Sequence, residues 1–160
     1  MRPGILFILL LVLGCTDGHK EAEQAYKSDL KELIPLKGHD PYEEGVMTDP
    51  YLQHRLVKLL GQGKYDTLAK VMYDCSPIGF NNDLLYWVGY AKEKPASNGG
   101  AIIIDLNKDV IYVGLEINDQ VQLFSEAGDL DNKPLKLDRW FNRRDKTTGK
   151  KTATDSTTIE

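Results

Sequence analysis

Histidine is scarce in this 160-residue chain, with only three, His19, His39 and His54, and no pair of them has zinc-binding spacing. No serine lies in a Gly-x-Ser-x-Gly turn, and "GQGK" at 61–64 lacks both the spacing and the Ser or Thr of a phosphate-binding loop. The serine-hydrolase and nucleotide-binding patterns are therefore missing, and no cofactor motif takes their place. Long apolar runs are lacking too. The longest, Ile5 to Leu13, is nine residues, against the roughly 20 that a membrane-spanning helix needs. Basic charge is not in excess: the formal net charge is −4, and an acidic body argues against nucleic acid as a partner.

The nine-residue run follows one early cation, Arg2, and stops at Gly14-Cys15, the layout of a secretory signal peptide over residues 1–14. Val12-Leu13-Gly14-Cys15 resembles the lipobox of bacterial lipoproteins, with an aliphatic first residue, a small third residue and an obligatory Cys. The resemblance implies cleavage before Cys15, palmitate or a similar acyl group on that residue, and a membrane partner reached through the lipid. Each buried methylene contributes about 0.8 kcal/mol to such an anchor. Thr16 after the Cys, rather than Asp, is compatible with the outer membrane, periplasm-facing, although Asp17 is close by. Cys75 is then the one free thiol, so stability must come from a packed core rather than from a disulfide.

The remaining chain is long enough for one domain. Ala22, Tyr26, Leu30 and Leu33 form one stripe of a helix over Lys20–Ile34 that Pro35 ends, either a stalk or a docked helix. With the irregular stretch "PLKGHDPYEEGVMTDP" it makes up residues 15–45, a lipidated N-terminus, helix and linker. Asp49-Pro50 starts a helix with Leu52, Leu56, Leu59 and Leu60 inward, closed by Gly61 and Gly63. A second helix from about Lys64 to Asp74 turns Leu68, Val71 and Met72 inward, giving an αα-hairpin. After the loop "CSPIGFNND" four strands follow: "LLYWVGYA", the central "AIIIDL", Val110–Ile117 in clean alternation, and "QVQLFSE" across Asn118-Asp119. Pro134 opens a short terminal helix carrying Leu137, Trp140 and Phe141. The predicted fold is α+β: a helix pair, a four-stranded antiparallel sheet and a short C-terminal helix, over residues 46–141. Residues 142–160, with six Thr and no aromatic, read as a disordered polar tail.

Two stretches suggest chemistry. From Asp105 the chain has the acidic spacing of a calcium-binding EF-hand loop, with Asn107, Asp109 and Glu116 at the third, fifth and twelfth positions. Val110 sits where that loop needs a Gly with positive φ, and both flanks have strand character, so the reading is a hairpin turn at Leu106–Lys108 and no metal site. "YDCS" and "DVIYVGLEIND" resemble the two signatures of NlpC-type cysteine peptidases, which act on cell wall. That likeness implies Cys75 as a catalytic nucleophile, but Tyr112 stands in the place of the general-base His, and Pro77 in the place of a Gly. A phenol of pKa near 10 cannot take a thiol proton as imidazole does, which leaves His39 or His54 as a substitute, and His54, between Leu52 and Leu56 on the first helix, reads rather as a solvent-side or packing residue.

The succession of helices and strands resembles outer-membrane lipoproteins of the SmpA/OmlA kind, through Gly63, Leu68, Met72, Pro77, Tyr86-Trp87 and the hairpin from Ile102 to Leu115. That resemblance implies a non-catalytic domain that docks on other envelope proteins. The expected function is accordingly protein binding without catalysis. The partner is an envelope protein in assembly, or a secreted toxin or wall hydrolase that the chain inhibits as an immunity protein would. An acidic body suits a basic partner. Tyr86, Trp87, Tyr90 and Tyr112 are the candidate binding aromatics, since Tyr and Trp on an open sheet face are what hot spots are made of.

Overall fold

The computed structural model describes residues 29–148. Helix α1 (Pro50–Leu60) begins where the sequence places it, because Asp49 Oδ1 accepts from the N–H groups of Tyr51 and Leu52 at 3.1 and 2.9 Å. Gly61, at φ 76°, turns the chain directly into α2 (Gln62–Val71). Gly63 is thus inside the second helix rather than between the two. Leu52, Leu56 and Leu60 of α1 and Tyr65, Leu68 and Val71 of α2 are buried.

The sheet has six strands where four are expected. Strands β3 (Leu84–Tyr90), β4 (Gly99–Asp105), β5 (Val110–Ile117) and β6 (Gln120–Ser125) form the predicted antiparallel meander. Two short strands, β1 (Asp74–Cys75) and β2 (Gly79–Asn81), both pair with the outer edge of β3, within the stretch read as a loop. They form one edge strand broken in the middle. Pro77 has no N–H for the ladder, and Ser76 bridges the gap: its N–H donates to Val88 O at 2.8 Å while its hydroxyl accepts from Val88 N at 3.2 Å. Pieces of two and three residues are too short to show a period of two. The β5–β6 turn places Asn118 and Asp119 at φ 49° and 65°, the pairing of positive values that two-residue hairpins favour.

Both faces of the sheet are covered, and every residue of β4 is buried. Leu85, Trp87, Ile102, Ile104, Ile111, Val113 and Leu115 pack against α1 and α2. On the opposite face Ala101, Ile103 and Tyr112 pack against Leu137 and Trp140 of α3 (Leu135–Thr148). Residue 114 is glycine because the Trp140 ring occupies the space a Cβ would need. α3 is longer than the short helix expected, and it takes in residues that the sequence reading assigns to a polar tail; residues 149–160 lie outside the described residues.

The helix expected over Lys20–Ile34 is a second correction to the fold. The described part is a 3-10 helix from Leu30 to Leu36 with Pro35 inside it, and residues 20–28 lie outside the described residues. Proline lacks the N–H an α-helix would use there, and the tighter Lys37 N to Ile34 O bond closes the segment instead. Leu30 and Leu33 join the core shared with α1 and α2.

Candidate docking surface

The four aromatics singled out in the sequence do not form a patch. Alternation along β3 points Tyr86 and Tyr90 to the α3 side and Trp87 to the other, where it is 1 % exposed in the core. Tyr112 is buried beneath α3. Tyr86 and Tyr90 are half-buried, with Lys136 Nζ 3.6 Å from the centroid of the first ring and the Arg144 guanidinium 5.3 Å from the second. Cys15 lies outside the described residues.

Cys75 and His54 sit on different elements, the thiol half-buried at the sheet edge and the imidazole exposed on α1. The thiol donates to Met72 O at 3.1 Å. Burial, with the charges of Asp40 and Asp74 adding to it, pushes its pKa up to about 12, so at neutral pH it stays protonated and is a poor nucleophile.

The acidic residues of the hairpin are likewise committed elsewhere. Asp105 Oδ1 accepts from Asn107 N and Lys108 N at 3.1 and 3.0 Å, the expected turn cap. Asp109 and Glu126 both hold Arg55 of α1 at 2.6 Å, and the fully buried Glu116 pairs with Arg144 of α3. Among the described residues no cluster of His, Cys, Asp or Glu could hold a metal ion.

Among the described residues, the exposed aromatic rings lie outside the four-stranded meander. Tyr42 and Tyr73 are 61 % and 49 % exposed, and they meet edge to face with ring centroids 5.4 Å apart. Their supports are firm. Asp40 Oδ1 accepts from Tyr42 N at 2.7 Å and Glu43 N at 3.3 Å, fixing the turn that carries the first ring. Gly38 N donates to Ile78 O at 2.8 Å and Ile78 N to His39 O at 2.9 Å, stitching this segment to the loop between β1 and β2. Tyr73 stands between the end of α2 and β1, with Lys92 Nζ 5.8 Å from its ring centroid.

In the chain Asp40, Glu43 and Glu44 stand beside Tyr42 and Asp74 beside Tyr73. The two rings are exposed and pre-positioned, and the charges around them are mixed: Glu44 pairs with His39 at 2.7 Å, while Lys92 lies over Tyr73. One signal in the sequence pointed here. Tyr73 follows Leu68, Val71 and Met72 immediately and falls off their inward stripe.

A family model described as "Inhibitor of vertebrate lysozyme (Ivy)" matches residues 51–147, more than half of the chain, from Tyr51 in α1 to Thr147 in α3. The match takes in Tyr73 and Asp74; Tyr42 and its acidic neighbours precede it. No curated protein and no solved structure matches the chain.

Proposed function

We propose that this chain, which belongs to the family of inhibitors of vertebrate lysozyme (Ivy), is a non-enzymatic inhibitor of a wall-cleaving glycosidase that docks through Tyr42 and Tyr73. The family match carries the reading. It favours the inhibitor over the assembly accessory, and the matching family differs from the SmpA/OmlA kind that the chain resembles. Exposed tyrosines bring large apolar area at low entropic cost, and the net acidic charge of the chain suits a basic partner.

Tyr42→Ala and Tyr73→Ala are each expected to cost about 2 kcal/mol of binding, a loss of roughly 30-fold in the inhibition constant against lysozyme. Their thermal midpoints should stay near that of the parent, since each ring is about half or more outside the core. If both variants inhibit as well as the parent, the docking surface is elsewhere. If the parent leaves lysozyme activity untouched, the function itself is wrong.

The two cysteines separate the anchor from the alternative chemistry. The proposed location is the cell envelope, with the chain lipid-anchored through Cys15 and facing the periplasm, supported by the apolar run and Val12-Leu13-Gly14-Cys15. Cys15→Ser should move the protein from the membrane fraction to the soluble fraction. Cys75→Ser should keep inhibition within about twofold, because the thiol is protonated and bonded to a backbone carbonyl. Hydrolysis of wall fragments by the parent and its loss in the Cys75 variant would revive the cysteine-peptidase reading.

A further inference from the structure

On the opposite side of the sheet from α1 and α2, a cleft of about 580 Å³ opens between α3 and β3–β4. Its size falls within the range of about 300–1,000 Å³ typical of small-molecule sites. The walls are apolar: Tyr86, Ile103 and Trp140 contribute to them. The rim is cationic. Lys136, Arg139 and Arg143 recur at intervals of three and four along α3, so one stripe of the helix carries all three beside the cleft. No carboxylate lines the cleft among the described residues, although the chain as a whole is acidic.

Two details show that the site is built. Lys136 Nζ is held 3.6 Å from the centroid of the Tyr86 ring, which places an ammonium at the mouth of the apolar wall. Trp140, only 2 % exposed and part of that wall, keeps its indole N–H without an acceptor. A buried donor of this kind is costly to leave unmet, and an acceptor group on a ligand is one way to meet it.

We infer that this cleft binds a small anionic amphiphile, a molecule with an apolar body and a carboxylate or phosphate head, with Lys136 and Arg139 receiving the head group. The apolar body lies along Tyr86 and Val88, the partly exposed apolar side chains of the lining, with Ile103 and Trp140 as the floor beneath. Neither Tyr42 nor Tyr73 lines the cleft, although Ser76, three residues after Tyr73, does; the inferred site is distinct from the tyrosine pair, so its occupancy leaves docking on a hydrolase unaffected.

Calorimetric titration of the full chain with sodium decanoate, decyl phosphate and neutral decanol tests the assignment. The expected result is saturable one-to-one binding of at least one anion, at least tenfold tighter than decanol. Binding of decanoate alone would specify a carboxylate head, and of decyl phosphate alone a phosphate; either supports the site. Lys136→Gln and Arg139→Gln should each weaken the anion about tenfold, as loss of one charge-assisted contact does, while leaving decanol and lysozyme inhibition unchanged. Absence of saturable binding by both anions overturns the inference, as does equal affinity for decanol or anion binding that both variants retain. Loss of lysozyme inhibition at saturating decanoate would overturn the separateness of the two sites.

Discussion

Arg144→Met is expected to lower the unfolding free energy by about 3–5 kcal/mol at neutral pH, the usual effect of removing one partner from a buried ion pair. Glu116 is 0 % exposed, and Arg144 reaches it from α3, also donating to Pro95 O at 3.1 Å. Burial raises the Glu116 pKa while the guanidinium lowers it, and burial is the larger effect. Without the arginine the carboxyl would rise further. The folded state would then bind a proton more tightly than the unfolded chain, so stability falls as pH climbs from the ordinary carboxylate value through the raised one. Denaturant titrations should therefore show the variant recovering on acidification across that window. Adding Glu116→Gln should restore most of the loss at neutral pH and flatten the profile. A single variant that loses less than about 1 kcal/mol, with no pH dependence, would refute this account of the pair.

Trp140→Ala should cost about as much, roughly 3–5 kcal/mol, by a different route. The indole is 2 % exposed, lies over Gly114 and packs with Ala101, Ile103, Tyr112 and Leu137. Truncation removes the one fully buried aromatic ring that α3 places on the sheet among the described residues, leaving the partly buried Phe141. The thermal midpoint should fall by roughly 10 °C or more. Gly114→Val approaches the same outcome from the strand, since its branched side chain needs the volume the ring fills. In both variants limited proteolysis should cut within 135–148 first, because the core between the sheet and α1–α2 is a separate cluster that neither change touches. Uniform resistance of that segment, with a normal midpoint, would show that the helix is held by something other than Trp140.

Much of the scaffold is legible one segment at a time. Asp49-Pro50 starts a helix because an acceptor side chain and a missing N–H suit the first turn wherever it occurs. The alternation from Val110 to Ile117 assigns Ile111, Val113 and Leu115 to one face and Tyr112, Gly114 and Glu116 to the other, and the structure keeps that division. Asp105 caps its own turn within three residues, which is why an acidic spacing that suggests calcium resolves into a hairpin without reference to the rest of the chain.

Periodicity reports which residues share a face and says nothing about what covers that face. α3 arrives from a point 18 residues beyond Ile117 and buries the second side of the sheet, so Tyr112 becomes core and Glu116 needs an arginine 28 positions away. Trp87, on the opposite face of β3, is buried in turn by the helix pair. The docking pair is also a tertiary product: Tyr42 and Tyr73 are separated by 31 positions, and the backbone bonds between Gly38, His39 and Ile78 bring them together. The sequence by itself determined the start of α1, the four long strands and the two tight turns after β4 and β5, because those depend on contacts within a few residues. Only the tertiary structure decided which aromatics are buried and which are offered to a partner, because that depends on elements distant in the chain closing over one surface and leaving another open.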